Sequence, residues 1–205
     1  MPLTIRFVRH GESQANLDRV FANRATFAAD LTATGVAQAQ ALARALAGEL
    51  VVHVYTSPLP RARQTAEIVA TALGVPCTTD DALREYDVGD FEGAPYGGEH
   101  GWRWERYERV ETAWRSGDLD ARHPGGESLA DVRDRFLPFL DRLAARRESG
   151  DVIAVGHGGL YRVVLPLVLP GVTPAFALAH PLDHGDMIVV ERHGENWRCV
   201  SWAGA

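Results

Sequence analysis

The chain has 205 residues, which suits one large domain or one domain with a modest insert. Apolar residues make up 46%, enough for a full core without disulfides or metals, and the formal charge of −6 creates no global field to attract nucleic acid or an anionic membrane. An anionic substrate would have to be held by local charge.

Residues 3–8 (LTIRFV) are apolar and β-branched and stop at a charged turn, RHGES, which predicts a first strand. Weak periodicity over 14–31 predicts a long loop with one short helix. Thr32 suits an N-cap, and VAQAQALARALAGEL (36–50) a helix whose alanines allow close approach to a sheet. Residues 51–55 (VVHVY) read as the second strand, 62–73 as a second helix closed by Gly74, and 75–78 as a short third strand. From 84 to 124 the composition turns to aromatics, charges and clustered glycines, with a helix expected over 102–114. This stretch reads as a lid-like excursion inserted in a single domain spanning 1–205. Beyond GGES (125–128), Leu129, Val132, Phe136, Phe139 and Leu143 recur at helical spacing, and Pro138 predicts a bend or a later helix start.

DVIAV (151–155) is apolar throughout after its aspartate, as befits a central strand covered on both faces. A helix over 160–169 follows. Residues 175–178, 187–192 and 197–201 read as closing strands, the last two forming a hairpin about Gly194. Strands alternating with helices, then a late strand pair, predict an α/β fold: a three-layer α/β/α sandwich with a mostly parallel central sheet. Cys77 and Cys199 lack metal or redox spacing and are expected as reduced, buried small hydrophobes. No apolar run reaches about 18 residues and the N-terminus carries no cleavage signal, so a cytoplasmic location with no membrane partner is expected.

In such folds ligands bind beyond the carboxyl ends of the strands. Three of these ends carry unusual cargo: Arg9-His10-Gly11 after the first strand, Ser57 to Arg63 after the second, and Gly156-His157-Gly158-Gly159 after DVIAV. A parallel sheet would bring them to one edge. Two histidines and up to three arginines there suit a phosphate dianion, because guanidinium forks grip its oxygens and glycines admit backbone donors. Singly, each residue is equally a turn histidine, a tight-turn glycine or a solvated arginine; the coincidence favours the anion. A metal cluster would need the histidines with Glu85, Asp87, Asp90 and Glu92, but HExxH spacing is absent and arginines would repel the cation.

VRHGESQAN (8–16), SPLPRARQTA (57–66), LREYDVGDFEG (83–93), PGGESLADVRDR (124–135) and VGHGG (155–159) together resemble the histidine phosphatase superfamily, also called phosphoglycerate mutase-like, in the family's order. The resemblance implies roles residue by residue. His10 is similar to the nucleophile, Arg9 and Arg63 to the phosphate clamp, Asn16 to a phosphate-pocket amide, His157 to the second histidine and Glu85 to the general acid, with Arg61 left at the rim. It also implies hydrolysis of a small phosphorylated metabolite through phosphohistidine, with no cofactor and no metal. The alternatives are mutase-type phosphoryl transfer or a non-enzymatic phosphate-binding module. YDVGDFEG lacks the RHYG that follows this glutamate in glycolytic mutases, and the chain is shorter than those enzymes, both of which favour a phosphatase. Trp102, Trp104 and Tyr107 are expected to form a specificity lid, to pack on the core, or to build a homodimer surface.

Overall fold

The computed structural model describes residues 3–24, 29–96, 102–145 and 150–203. Its six-stranded sheet is built on β1 (Thr4–Arg9), β2 (Val51–Thr56), β3 (Cys77–Thr79) and β4 (Asp151–Gly156), completed by the hairpin β5 (Met187–His193) and β6 (Asn196–Trp202). The spatial order is β3-β2-β4-β1-β5-β6. The β3–β2, β2–β4 and β4–β1 pairs are parallel, whereas β5 runs antiparallel to both β1 and β6.

Period-two alternation decides which helices cover which face. Val152 and Ala154 of β4 join Ile5 and Phe7 of β1 in one core cluster, under α5 (Leu129–Ala144) and α6 (Gly158–Val164). Ile153 and Val155, with Val8 and Val54, face the other way, onto α2 (Ala33–Ala45) and α3 (Pro60–Leu73). The result is a three-layer sandwich with a mostly parallel sheet. Thr32 caps α2 by accepting from Gly35 N–H at 3.0 Å. Ser128 and Asp131 close a capping box at α5, so that helix begins at Leu129 and runs through Pro138. Pro138 is exposed, which leaves the carbonyl it cannot serve on the wet side of the helix.

Two expectations are corrected. Residues 175–178 lie in a short helix (Pro174–Ala179), not a strand: Thr173 accepts from Phe176 N–H at 3.1 Å and Pro174 occupies the first turn. Cys77 is exposed because it opens an edge strand whose three residues all face solvent, and Cys199 is only partly buried. The excursion from 84 to 124 packs on the core through Tyr86, Val88, Phe91, Tyr107 and Trp114, which share a cluster with Phe7 and Phe136. Its helix α4 spans Trp102–Arg115, and the short helix in the first loop spans Gln14–Asp18. No helix of the described residues is long and apolar enough to cross a membrane.

Candidate active site

The carboxyl ends of β1, β4 and β2 lie side by side, since Arg9 pairs with Gly156 and Thr56 with Val155. His10, His157 and Ser57 follow directly, and all three are buried. His10 Nδ1 lies 2.7 Å from its neighbour's carbonyl, Gly11 O. A carbonyl only accepts, so Nδ1 carries the proton and Nε2 keeps its lone pair. That lone pair accepts from Arg61 Nε at 2.9 Å. Burial, then the Arg61 and Arg9 charges, hold the His10 imidazole well below its ordinary pKa, and it is neutral at pH 7.

The turn carrying His10 is fixed from behind. A Cβ on Gly11 would meet Gly35 O at 2.5 Å, and one on Gly35 would meet Glu12 O at 2.0 Å, so the turn and the first coil of α2 approach as only two glycines can. Gly11 N–H donates to Thr65 Oγ1 at 3.1 Å, tying the turn to α3 as well.

Arg61, 5% exposed, is the hub of the site. Besides its Nε bond to His10, its Nη1 donates to Ala22 O at 2.7 Å and its Nη2 lies 3.3 Å from His157 Nδ1. His157 Nε2 lies 2.8 Å from Ser57 Oγ, and burial with the Arg61 charge keeps this imidazole neutral too. Arg63 does not reach the site. It stands over half exposed, 3.5 Å from Glu67. The assignment of Arg63 to the phosphate pocket and Arg61 to the rim is therefore reversed. At 100° per residue, position 61 shares the inner face of α3 with the buried Ala62, Thr65 and Val69, while 63 and 67 turn outward.

Arg9 reaches the same cavity. Its Nη1 donates to Leu182 O at 2.6 Å and its Nη2 to His184 Nε2 at 2.8 Å, while Nε is buried without a protein partner. Burial lowers the pKa of Arg9, and takes Arg61 down to about 10. One buried and one partly buried guanidinium beside neutral imidazoles leave the site short of negative charge, which is the electrostatic condition for an anion. Asn16 lines the cavity with its Oδ1 already accepting from Ser13 N–H and Oγ–H, so its amide donors are what it offers a ligand.

Glu85 is buried in the same wall, with Oε1 accepting from Tyr86 N–H at 3.0 Å and Oε2 from Gly159 N–H at 3.1 Å. A Cβ on Gly159 would stand 2.6 Å from that oxygen, so the second glycine after His157 makes room for the carboxyl. Burial pushes the Glu85 pKa up. Its acidic neighbours are otherwise engaged: Asp87 pairs with Arg24 at 3.0 Å, and Glu92 accepts from the Asn23 and Arg24 backbone amides. Among the described residues no group of three or more His, Cys, Asp or Glu could hold a metal ion. Trp104 and Tyr107 line the cavity, Tyr107 being buried; the Trp102 side chain lies outside the described residues. His184, 5.9 Å from the His10 ring between centroids, escaped sequence analysis, although it too is followed by glycine and stands just before a strand.

The chain is similar to known proteins over nearly its whole length. The profile of the histidine phosphatase superfamily, branch 1, matches residues 5–204. A probable phosphoglycerate mutase GpmB of Proteus mirabilis is 34% identical over 179 residues, 85% of this chain and 78% of that protein. A 2,3-bisphosphoglycerate-dependent phosphoglycerate mutase of Beijerinckia indica is 34% identical over 87% of this chain and 86% of its own. Among solved structures, a mycobacterial glucosyl-3-phosphoglycerate phosphatase in complex with VO3 superposes with a TM-score of 0.79 at 25% identity, covering 98% of this chain and 99% of that one. A putative α-ribazole-5′-P phosphatase from Escherichia coli gives 0.79 at 24% identity over 99% and 97%, a likeness of fold.

Proposed function

The chain belongs to the histidine phosphatase superfamily, and we propose that it hydrolyses a phosphomonoester of a small metabolite through a phosphohistidine formed on His10. The observation that carries this is the His10 tautomer: Nδ1 is committed to Gly11 O, so the unprotonated nitrogen is the one facing Arg61 and the cavity. An arriving phosphoryl group takes the Arg61 Nε–H from the imidazole, and the lone pair so released attacks phosphorus. The bond from phosphorus to the ester oxygen breaks, and the proton of a neutral Glu85 goes to the leaving alkoxide. Water, giving its proton back to Glu85, then attacks phosphorus; the P–N bond breaks, and its electron pair returns to Nε2.

Arg9, Arg61, His157 and Asn16 hold the remaining oxygens while charge shifts between them, the dominant contribution in phosphoryl transfer. The guanidiniums supply the positive charge, so turnover needs no metal. Hydrolysis is favoured over phosphate return to a second alcohol because YDVGDFEG departs from the glycolytic mutases just after Glu85. The names of the two relatives keep mutase-type transfer as the second reading.

The test is rapid quenching with a 32P-labelled ester and no added acceptor. An acid-labile, base-stable label should map to His10, decay with release of inorganic phosphate, and vanish in His10→Ala. Label on a serine, or near-normal turnover by His10→Ala, would overturn the mechanism. Label that leaves only when phosphoglycerate is added would favour the mutase.

A further inference from the structure

Beyond the phosphate end, the cavity, about 370 Å³ in volume, becomes aromatic and aliphatic. Phe21 packs against Tyr96 and Tyr107, with centroids 5.3 and 4.9 Å apart, and Trp104 stacks on Tyr107 at 5.2 Å and 23°. Leu178 and Leu182 also line this end. Flat rings with few polar atoms offer a leaving group area rather than hydrogen bonds.

A third arginine, Arg162, lines the cavity among the described residues, and it is already neutralised. Its Nη2 lies 2.6 Å from Glu111 Oε1, and Glu111 is 4% exposed. The same carboxylate oxygen accepts from the hydroxyls of Tyr86 at 2.6 Å and Tyr107 at 2.8 Å. The Arg162 charge in turn holds the Glu111 carboxyl below its usual pKa against its burial. Glu108 brings a second carboxylate to the cavity wall, and Arg115 pairs with both carboxylates, 3.5 Å from Glu108 and 3.3 Å from Glu111 Oε2, so the two arginines and two carboxylates cancel. A substrate carboxylate or second phosphate entering here would meet an arginine whose charge is spent on a buried partner. Removing Glu111 from that pair would mean breaking a buried, charge-assisted set of bonds, so the arginine is not lent out readily.

Resting on the hydrolase reading, we propose that the alcohol half of the substrate is flat, largely apolar and without a second anionic group. Glu111 is the residue that sets this preference by withholding Arg162. The chain then discriminates against phosphoglycerate-like esters not by lacking a cation but by keeping it occupied.

The test uses the full chain and ligands differing in one charge. Calorimetry with benzylphosphonate and 4-carboxybenzylphosphonate reads binding without turnover, and phosphate release from benzyl phosphate reads hydrolysis separately. Benzylphosphonate should bind at least about tenfold tighter than its carboxylated analogue, on the scale of a single pocket contact. Glu111→Gln should narrow that ratio about tenfold by releasing Arg162. Equal or reversed binding by the wild-type chain overturns the inference and needs no variant to fold. An unchanged ratio in a folded Glu111→Gln overturns the role of Glu111. Preferential binding of benzylphosphonate without hydrolysis of benzyl phosphate would sink the hydrolase reading and leave the preference standing.

Discussion

Arg61 serves two imidazoles with one guanidinium, giving Nε–H to His10 and placing Nη2 at His157. Its loss therefore removes the hydrogen-bond donor proposed for phosphate and a contact shared by both rings. Arg61→Ala should lower kcat/KM by about 10²–10³-fold, as the loss of a preorganised donor to a developing anion does. Arg63→Ala should stay within about twofold, being a solvent-exposed i,i+4 pair of small energetic weight. Assays of both variants on one ester decide it, and a larger loss in Arg63→Ala would return that residue to the site. The pair shows what the sequence could tell at residue scale. Strand ends and their order identified His10, His157 and Arg9 as neighbours, and the family resemblance added Glu85. Choosing between arginines two positions apart needed the helical phase, and that was legible: Ala62, Ala66 and Val69 mark the buried side that Arg61 shares, while Glu67 partners Arg63 outside. His184 was harder, because its relation to Arg9 spans 175 residues and no local pattern encodes such a contact.

Elements were legible where periodicity ran long. The β4 alternation feeds both cores, and Leu129, Val132, Phe136, Phe139 and Leu143 of α5 are buried as their spacing predicts, joined by Leu140. Elements of a few residues were not. Residues 175–178 are too few to distinguish period two from period 3.6, and the Thr173-Pro174 start signal was the better guide. Contacts between elements leave the weakest trace, since a glycine needed for close approach looks like any other glycine. Gly35 is such a case. A Cβ there would stand 2.0 Å from Glu12 O, a backbone atom, so α2 must move from the His10 turn or the turn must move. Gly35→Ala should destabilise the fold by about 1–3 kcal/mol, the range for overpacking, and reduce kcat/KM with it. Gly48→Ala, where a Cβ would meet nothing within 4 Å, should change stability by less than about 0.5 kcal/mol. Urea unfolding of the two variants separates them, and equal midpoints would show that the contact at Gly35 is slack.

For the whole molecule, the consequence of this architecture is sensitivity to acid. Four histidines are held neutral in the fold: His10 and His157 have pKa values well below normal, and His123 and His184 are down at about 4, with burial the leading cause for each. In the unfolded chain each titrates near 6.5, so between that pH and the folded values unfolding takes up protons, and stability falls as pH falls. Glu85 works the other way at pH values above the ordinary carboxylate range, because its raised pKa lets the folded state bind a proton first. His123 isolates the effect, as it does not line the cavity and sits in an aromatic cage. It stacks on Tyr107 at 4.8 Å and 11°, meets Trp114 edgewise at 5.3 Å, and is fully buried with neither ring nitrogen hydrogen-bonded. His123→Phe forfeits no hydrogen bond, keeps the ring, and removes the titration. Its unfolding free energy should decline less than that of the wild-type chain from pH 7 to pH 5. The difference between the two proteins should grow by about 2 kcal/mol over that interval, the linkage expected for one imidazole moved from 6.5 to about 4. Urea unfolding of both proteins at the two pH values measures it. Parallel declines would mean that His123 finds a proton in the fold after all, and that the acid sensitivity belongs to the active-site histidines alone.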